Sequence, residues 1–201
     1  MSRYPYMPFI VSNYRCKNIL EIGVWSGGTA VAMIEAAKEA QTNSKEISYF
    51  GFDLFEDFVV NESVGDIKVP PSLKEVTEKL ETIDSDISIN LYKGNSIDTV
   101  PQFVKDNVDL KMDLIFIDGG HSIENIKSDW NNIQPLIHDN TIIIFDDYWS
   151  PKQVWGCNEL VDNLDKDQWD VEIPNYISGG RCTDGSPGRI RVAKVRKNLW
   201  T

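Results

Sequence analysis

Several ingredients are scarce in this chain, and each scarcity excludes something. Cysteine occurs three times in 201 residues, at positions 16, 157 and 182, with no CxxC spacing. That argues against a disulfide framework and against a thiolate zinc site, and makes a reducing cytoplasm the expected compartment. Histidine occurs twice, as His121 and His138. No apolar run approaches the ~18 residues of a membrane span, and residues 1–10 lack the apolar stretch of a secretion signal. Positive charge is in deficit, with 20 Lys and Arg against 31 Asp and Glu, a net charge of −11. A body that acidic repels phosphate backbones and anionic lipid surfaces. Neither nucleic acid nor membrane is therefore an expected partner, whereas a small molecule meets no such barrier. Repeats and low-complexity tracts are absent as well.

What is present is alternation. Residues 18–23, 47–53, 87–92, 112–117 and 141–145 are short β-type runs. Between and after them lie apolar residues at helical spacing, as in Ala30, Met33, Ile34 and Ala37. Further helices are predicted around 73–80, 100–104, 123–136 and 154–164. The run Thr141-Ile142-Ile143-Ile144-Phe145 suits a strand covered on both faces. Such alternation specifies an α/β fold with a mainly parallel sheet and right-handed crossovers. Residues 169–173 and 190–195 read as a terminal antiparallel hairpin, joined by the Gly/Pro/Ser-rich loop 174–188. The connection 54–71 is long, the kind that is usually functional.

Open α/β sheets bind ligands at the carboxyl ends of their strands. Those ends carry Gly23-Val24-Trp25-Ser26-Gly27-Gly28, Asp53, Gly94-Asn95-Ser96, Asp118-Gly119-Gly120-His121 and Asp146-Asp147. The first turn is not a dinucleotide fingerprint, because Trp25 stands where G-x-G-x-x-G needs its second glycine; no G-K-[ST] follows either. This disfavours a nicotinamide reductase. Asp53 can accept hydrogen bonds from two vicinal hydroxyls at once. If strands four and five are neighbours, Asp118, Asp146 and Asp147 converge. Three carboxylates in one place repel one another unless neutralised, which a hard divalent cation with oxygen ligands would do. His121, near a helix start, is expected to stay neutral and able to take a proton. His138 reads as a C-terminal helix cap and Trp130 as core. Tyr4, Tyr6, Phe9, Phe55, Phe58 and residues 148–151 are candidate pocket walls.

Glu21-Ile22-Gly23 with Gly27 resembles the first motif of class I S-adenosylmethionine-dependent methyltransferases. Phe116-Ile117-Asp118-Gly119-Gly120-His121-Ser122, Asp129-Trp130 and Ile144-Phe145-Asp146-Asp147-Tyr148 are similar to the macrocin O-methyltransferase-like and cephalosporin hydroxylase-like branch. The resemblance implies one Rossmann-like, doubly wound, seven-stranded domain over 1–201, with 1–17 as an N-terminal arm and 54–71 as a lid loop. It implies S-adenosylmethionine held by Glu21, Gly23, Trp25, Ser26, Gly27, Thr29, Asp53, Asn95, Ser96 and Asp118. It further implies Mg²⁺ or another divalent cation on Asp118, Asp146 and Asp147, and catalysis by His121 with Asp118. The reaction expected is O-methylation of a hydroxyl on a small molecule or sugar-type acceptor. Two alternatives stand beside it. One is a vestigial cofactor-binding protein of the same fold. The other is a fold-related oxygenase, for which two His and a carboxylate would have to meet. Relatives usually cover the substrate with extra N-terminal helices. Here fewer than twenty residues precede the first strand, so cover is expected from 54–71 or from a second subunit in a homodimer, or else the pocket is open, which would suit a larger acceptor.

Overall fold

A computed structural model describes residues 3–58 and 69–199. The strands are β1 (Asn18–Ile22), β2 (Ser48–Asp53), β3 (Ser88–Lys93), β4 (Met112–Ile117), β5 (Ile137–Ser150), β6 (Trp169–Glu172), β7 (Ser178–Arg181) and β8 (Pro187–Lys197). The helices are α1 (Tyr6–Tyr14), α2 (Gly28–Ala40), α3 (Leu73–Glu81), α4 (Ser96–Asp106), α5 (Ile123–Ile133) and α6 (Asn158–Asp162). The described strands join in one sheet of order β3-β2-β1-β4-β5-β8-β6, with β7 also paired to β8. β1 to β5 run parallel, whereas β8 is antiparallel to β5, β6 and β7. The chain order reverses at β1, which lies between β2 and β4. The β1/β4 junction is therefore the switch point at which a crevice opens.

Alternation along each strand builds two apolar layers. Ile19, Tyr49, Leu114, Phe116, Ile142 and Ile144 face one way and pack on α1, α2 and α3. Leu20, Phe50, Phe52, Ile115, Ile143 and Phe145 face the other way, against α4, α5 and α6. Residues 114–117 of β4 and the middle of β5 are buried on both faces, which is why they read as unbroken apolar runs. Ala30, Met33, Ile34 and Ala37 are all fully buried, as their spacing predicts. Trp130 is in the core, edge-on to Trp169 at 4.8 Å between centroids. No helix among the described residues is long and apolar enough to cross a membrane.

Several expectations need correction. The N-terminal arm contains a helix, α1, which buries Tyr6, Met7, Ile10 and Val11; Pro8 is tolerated because it falls in the first turn. α4 is longer than residues 100–104, starting from the Asn95 cap. His138 is no helix cap. Pro135 forces α5 into a 3₁₀ turn over Gln134–Leu136, so His138 lies in β5, where its Nδ1 accepts from the Asn140 N–H at 3.0 Å. The helix expected over 154–164 shrinks to α6, because Gly156 adopts φ +89° and lies tight against the Asp147 carbonyl. Loop 174–188 contains β7. Of the expected lid, 59–68 lies outside the described residues.

At the switch point, the Gly23 N–H donates to the Phe52 carbonyl and the Asp118 N–H to the Ile22 carbonyl, both at 2.8 Å. Gly23 has φ +96°, and a Cβ there would lie 2.1 Å from the Asp118 carbonyl oxygen. Gly23→Ala should therefore cost at least about 3 kcal/mol, or prevent folding, through combined strain and clash. Gly28→Ala meets nothing within 4 Å and should gain between zero and about 1 kcal/mol from reduced backbone entropy. Urea unfolding of the two variants checks the contrast.

Candidate active site

Along the β1–β2 rim, Asp53 is the organising group. Its Oδ2 accepts from the Trp25 N–H at 2.7 Å and its Oδ1 from the Phe55 N–H at 2.8 Å. Both donors belong to residues in the left-handed region, Trp25 at φ +49° and Phe55 at φ +50°. That conformation is costly for aromatic residues, and the carboxylate holds both turns in it. Each carboxylate oxygen keeps a second lone pair, so two further hydroxyls can still be accepted. The half-buried Trp25 ring meets Phe58 edge-on at 5.9 Å. The Ser26 carbonyl accepts from Lys79 Nζ at 2.8 Å. Gly27, at φ +70°, begins α2 with no side-chain cap, and Thr29 lies in its first turn. Uncapped N–H groups at a helix start suit a polar ligand. Across the sheet, Asn95 caps α4 by accepting from the Ile97 N–H at 3.2 Å, and Ser96 opens that helix.

Glu21 stands apart from this rim. It is fully buried in β1 and receives the Tyr49 hydroxyl. Burial pushes its carboxyl up to about 8, although the Tyr49 hydrogen bond pulls the other way. Another buried acid is Asp129 in α5, whose carboxylate is shut off from solvent and faces Ser96. Burial raises it to about 6, with Ser96 acting to lower it.

At the ends of β4 and β5 the acids converge. In a regular strand Asp146 and Asp147 would point to opposite faces. Here the pairing with β8 shifts register between Phe145 and Tyr148, and Asp147 takes φ +59°. The bulge re-aims the side chain. Asp118 faces Asp146, and burial followed by the Asp146 charge raises its carboxyl well above the ordinary range. Asp147 Oδ2 lies 2.5 Å from His121 Nδ1. The imidazole remains more than half exposed, its side chain at 56%, beside Trp155 at 6.1 Å. Trp155 leans on Trp149 at 4.5 Å, and the Gly156 N–H donates to the His121 carbonyl at 2.9 Å. The Asp147 hydrogen bond raises the His121 pKa, outweighing the partial desolvation of the ring. This opposes the downward pull expected from the helix start: a direct charge partner outweighs a partial helix charge.

The expected divalent cage does not match the arrangement found. Among the described residues no group of three or more His, Cys, Asp and Glu side chains is placed to hold a metal ion. Asp147 is turned toward His121, and a cation from the chain itself spans the acids. Arg3 Nε lies 2.5 Å from Asp146 Oδ1, and Nη2 lies 3.6 Å from Asp147 Oδ1. Asp146 Oδ2 remains buried with no hydrogen-bond partner. Arg3 and Trp155 are the residues that sequence reading missed. A single cation in the arm carries no periodic signal, and Trp155 was lost inside a helix predicted too long.

The sequence pattern called "Methyltransferase domain" matches residues 20–148, the span that contains the glycine turn, Asp53 and all the clustered acids, and the chain belongs to that family. Among solved structures, CalS11, a TDP-rhamnose 3'-O-methyltransferase of calicheamicin biosynthesis, has a similar fold. It shares 20% identity over 94% of this chain and 77% of that one, with TM-score 0.64. An O-methyltransferase from Bacillus cereus in complex with SAH gives 15%, 94%, 79% and 0.59. A candidate rRNA methylase from Clostridium thermocellum gives 12%, 98%, 96% and 0.65. No curated protein matches the chain.

Glu21 yields a prediction of its own. Its carboxyl holds a proton more tightly folded, near 8, than at its ordinary value of 4.5. Its stabilising contribution is therefore complete at low pH and lost as pH rises through 8. Glu21→Gln, which imitates the protonated acid, should match the native protein near pH 4.5 and exceed it by a few kcal/mol at pH 8 and above. Urea midpoints at the two pH values measure the difference.

Proposed function

We propose that the chain is an S-adenosylmethionine-dependent O-methyltransferase acting on a hydroxyl of a small molecule or sugar-type acceptor. The observation that carries this reading is the His121–Asp147 pair at the ends of β4 and β5, beside a β1–β2 rim whose Asp53 retains free lone pairs. S-adenosylmethionine, when bound, supplies an electrophilic methyl group. The chain's own residues do the rest. Asp53 receives a vicinal diol, the uncapped start of α2 at Gly27 and Gly28 leaves room and backbone N–H groups for a ligand, and Asn95 and Ser96 border the far side. Asp147 accepts the His121 Nδ1–H, which fixes the tautomer and leaves Nε2 to take the acceptor's hydroxyl proton. Trp155 walls the imidazole. No step is assigned to a divalent cation at Asp118, Asp146 and Asp147, because the side chains as placed do not form its ligand set.

A small acceptor suits the net charge of −11; an RNA acceptor, which the C. thermocellum fold neighbour brings to mind, would have to overcome it. Isothermal calorimetry with S-adenosylhomocysteine tests the cofactor. Native protein should bind it, and Asp53→Asn should weaken binding more than about tenfold, since a lost charge-assisted pair is worth over 1.4 kcal/mol. His121→Ala should keep that affinity yet lower methyl transfer to a panel of sugar nucleotides and phenols by about 10²–10⁴-fold. Absence of S-adenosylhomocysteine binding by the native protein would overturn the reading.

A further inference from the structure

Resting on that reading, we propose that Arg3 is the resident cation of the acid cluster: it occupies Asp146 and Asp147 in place of a divalent ion and positions them for His121. Of the four Asp146 and Asp147 carboxylate oxygens, three are already engaged, and Asp146 Oδ2 alone is without a partner. Arg3 Nε takes Asp146 Oδ1 and Nη2 approaches Asp147 Oδ1, while Asp147 Oδ2 goes to His121. The guanidinium is not a chance visitor on the surface. Its side chain is 12% exposed. Nη2 donates to the Tyr4 hydroxyl at 3.1 Å, and the Tyr4 ring lies 4.7 Å below Cζ. The Arg3 backbone N–H reaches Ser178 Oγ in β7 at 3.4 Å. Immediately after it, α1 is locked onto the core by Tyr6, Met7, Ile10 and Val11, with Tyr6 packed on Tyr176 at 4.9 Å. The arm is therefore anchored at Arg3 itself and along the helix that follows it.

The chemistry of the group fits the task. A guanidinium stays charged at any working pH and presents five N–H donors in a fixed plane. It can span two carboxylates and still have donors for an acceptor oxygen. A dication on the same carboxylates would lie beside the guanidinium, and two cations that close repel one another. The two solutions to one charge problem therefore compete, and with Arg3 in place the acceptor needs no second, chelating hydroxyl. Arg3 is a positioning residue: it acts on the base through Asp147.

Free Mn²⁺, read by its electron paramagnetic resonance signal, tests this on the full chain. Native protein and Arg3→Lys should take up no Mn²⁺ at millimolar concentration. Arg3→Ala should bind it at least an order of magnitude more tightly, and Arg3→Ala with Asp146→Asn should lose that uptake. All four proteins should bind S-adenosylhomocysteine with equal affinity, which shows that they are folded. Uptake by the native protein matching that of Arg3→Ala would overturn the proposal, since a metal would then displace the arm. Absence of uptake by Arg3→Ala would overturn it too, since the guanidinium would not be what closes the site. Failure of the native protein to bind S-adenosylhomocysteine sinks the methyltransferase reading instead, whatever Mn²⁺ does.

Discussion

Like charges gathered at one point must be answered by something, and the architecture at the ends of β4 and β5 is organised around that requirement. Asp118, Asp146 and Asp147 come from two neighbouring strands, and water cannot screen them fully because Asp146 and Asp147 are buried. The answer has several parts drawn from distant stretches of chain. Asp118 faces Asp146 with its carboxyl pushed toward the protonated form. His121 is drawn to Asp147. Arg3, 143 positions away from Asp146 in sequence, supplies a guanidinium. Each part depends on a backbone feature that would look like an irregularity in isolation, namely the β5 bulge, the left-handed Asp147 and the anchored arm.

The same dependence of side chains on backbone governs the β1–β2 rim. Gly23 lets the loop after β1 pass beneath the Asp118 carbonyl, which brings the glycine turn and the acid cluster side by side. Without that close crossing, the glycine turn and the acid cluster would separate. A tightly packed interior leaves little room for such loops to readjust.

The sheet was largely legible from sequence because burial writes itself into periodicity. β4 and β5 announce themselves as apolar runs, and residues 30, 33, 34 and 37 mark the inner face of α2. The strand-end carboxylates were legible for a second reason: parallel topology dictates where ligands lie. What escaped has a physical explanation as well. α1 is short, aromatic and contains Pro8, so its pattern is weak. β7 carries two glycines and gains its pairing from β8 rather than from its own propensity. His138 reads as a helix end because the apolar spacing runs on through Leu136, whereas Pro135 ends α5 and the chain enters β5 at Ile137. Three acids at neighbouring strand ends call for a neutralising cation, and no spacing rule points to Arg3, since ion pairs between remote segments leave no local trace.

The brace at Asp53 has a thermodynamic corollary. One carboxylate ties the turn after β1 to the turn after β2 through the Trp25 and Phe55 amides. Any diol settling on those oxygens becomes a third member of the same network. Filling of the crevice and ordering of its two banks are then linked functions, each of which must favour the other by the same free energy. The protein would be stiffer when loaded than when empty, without any change in its overall shape.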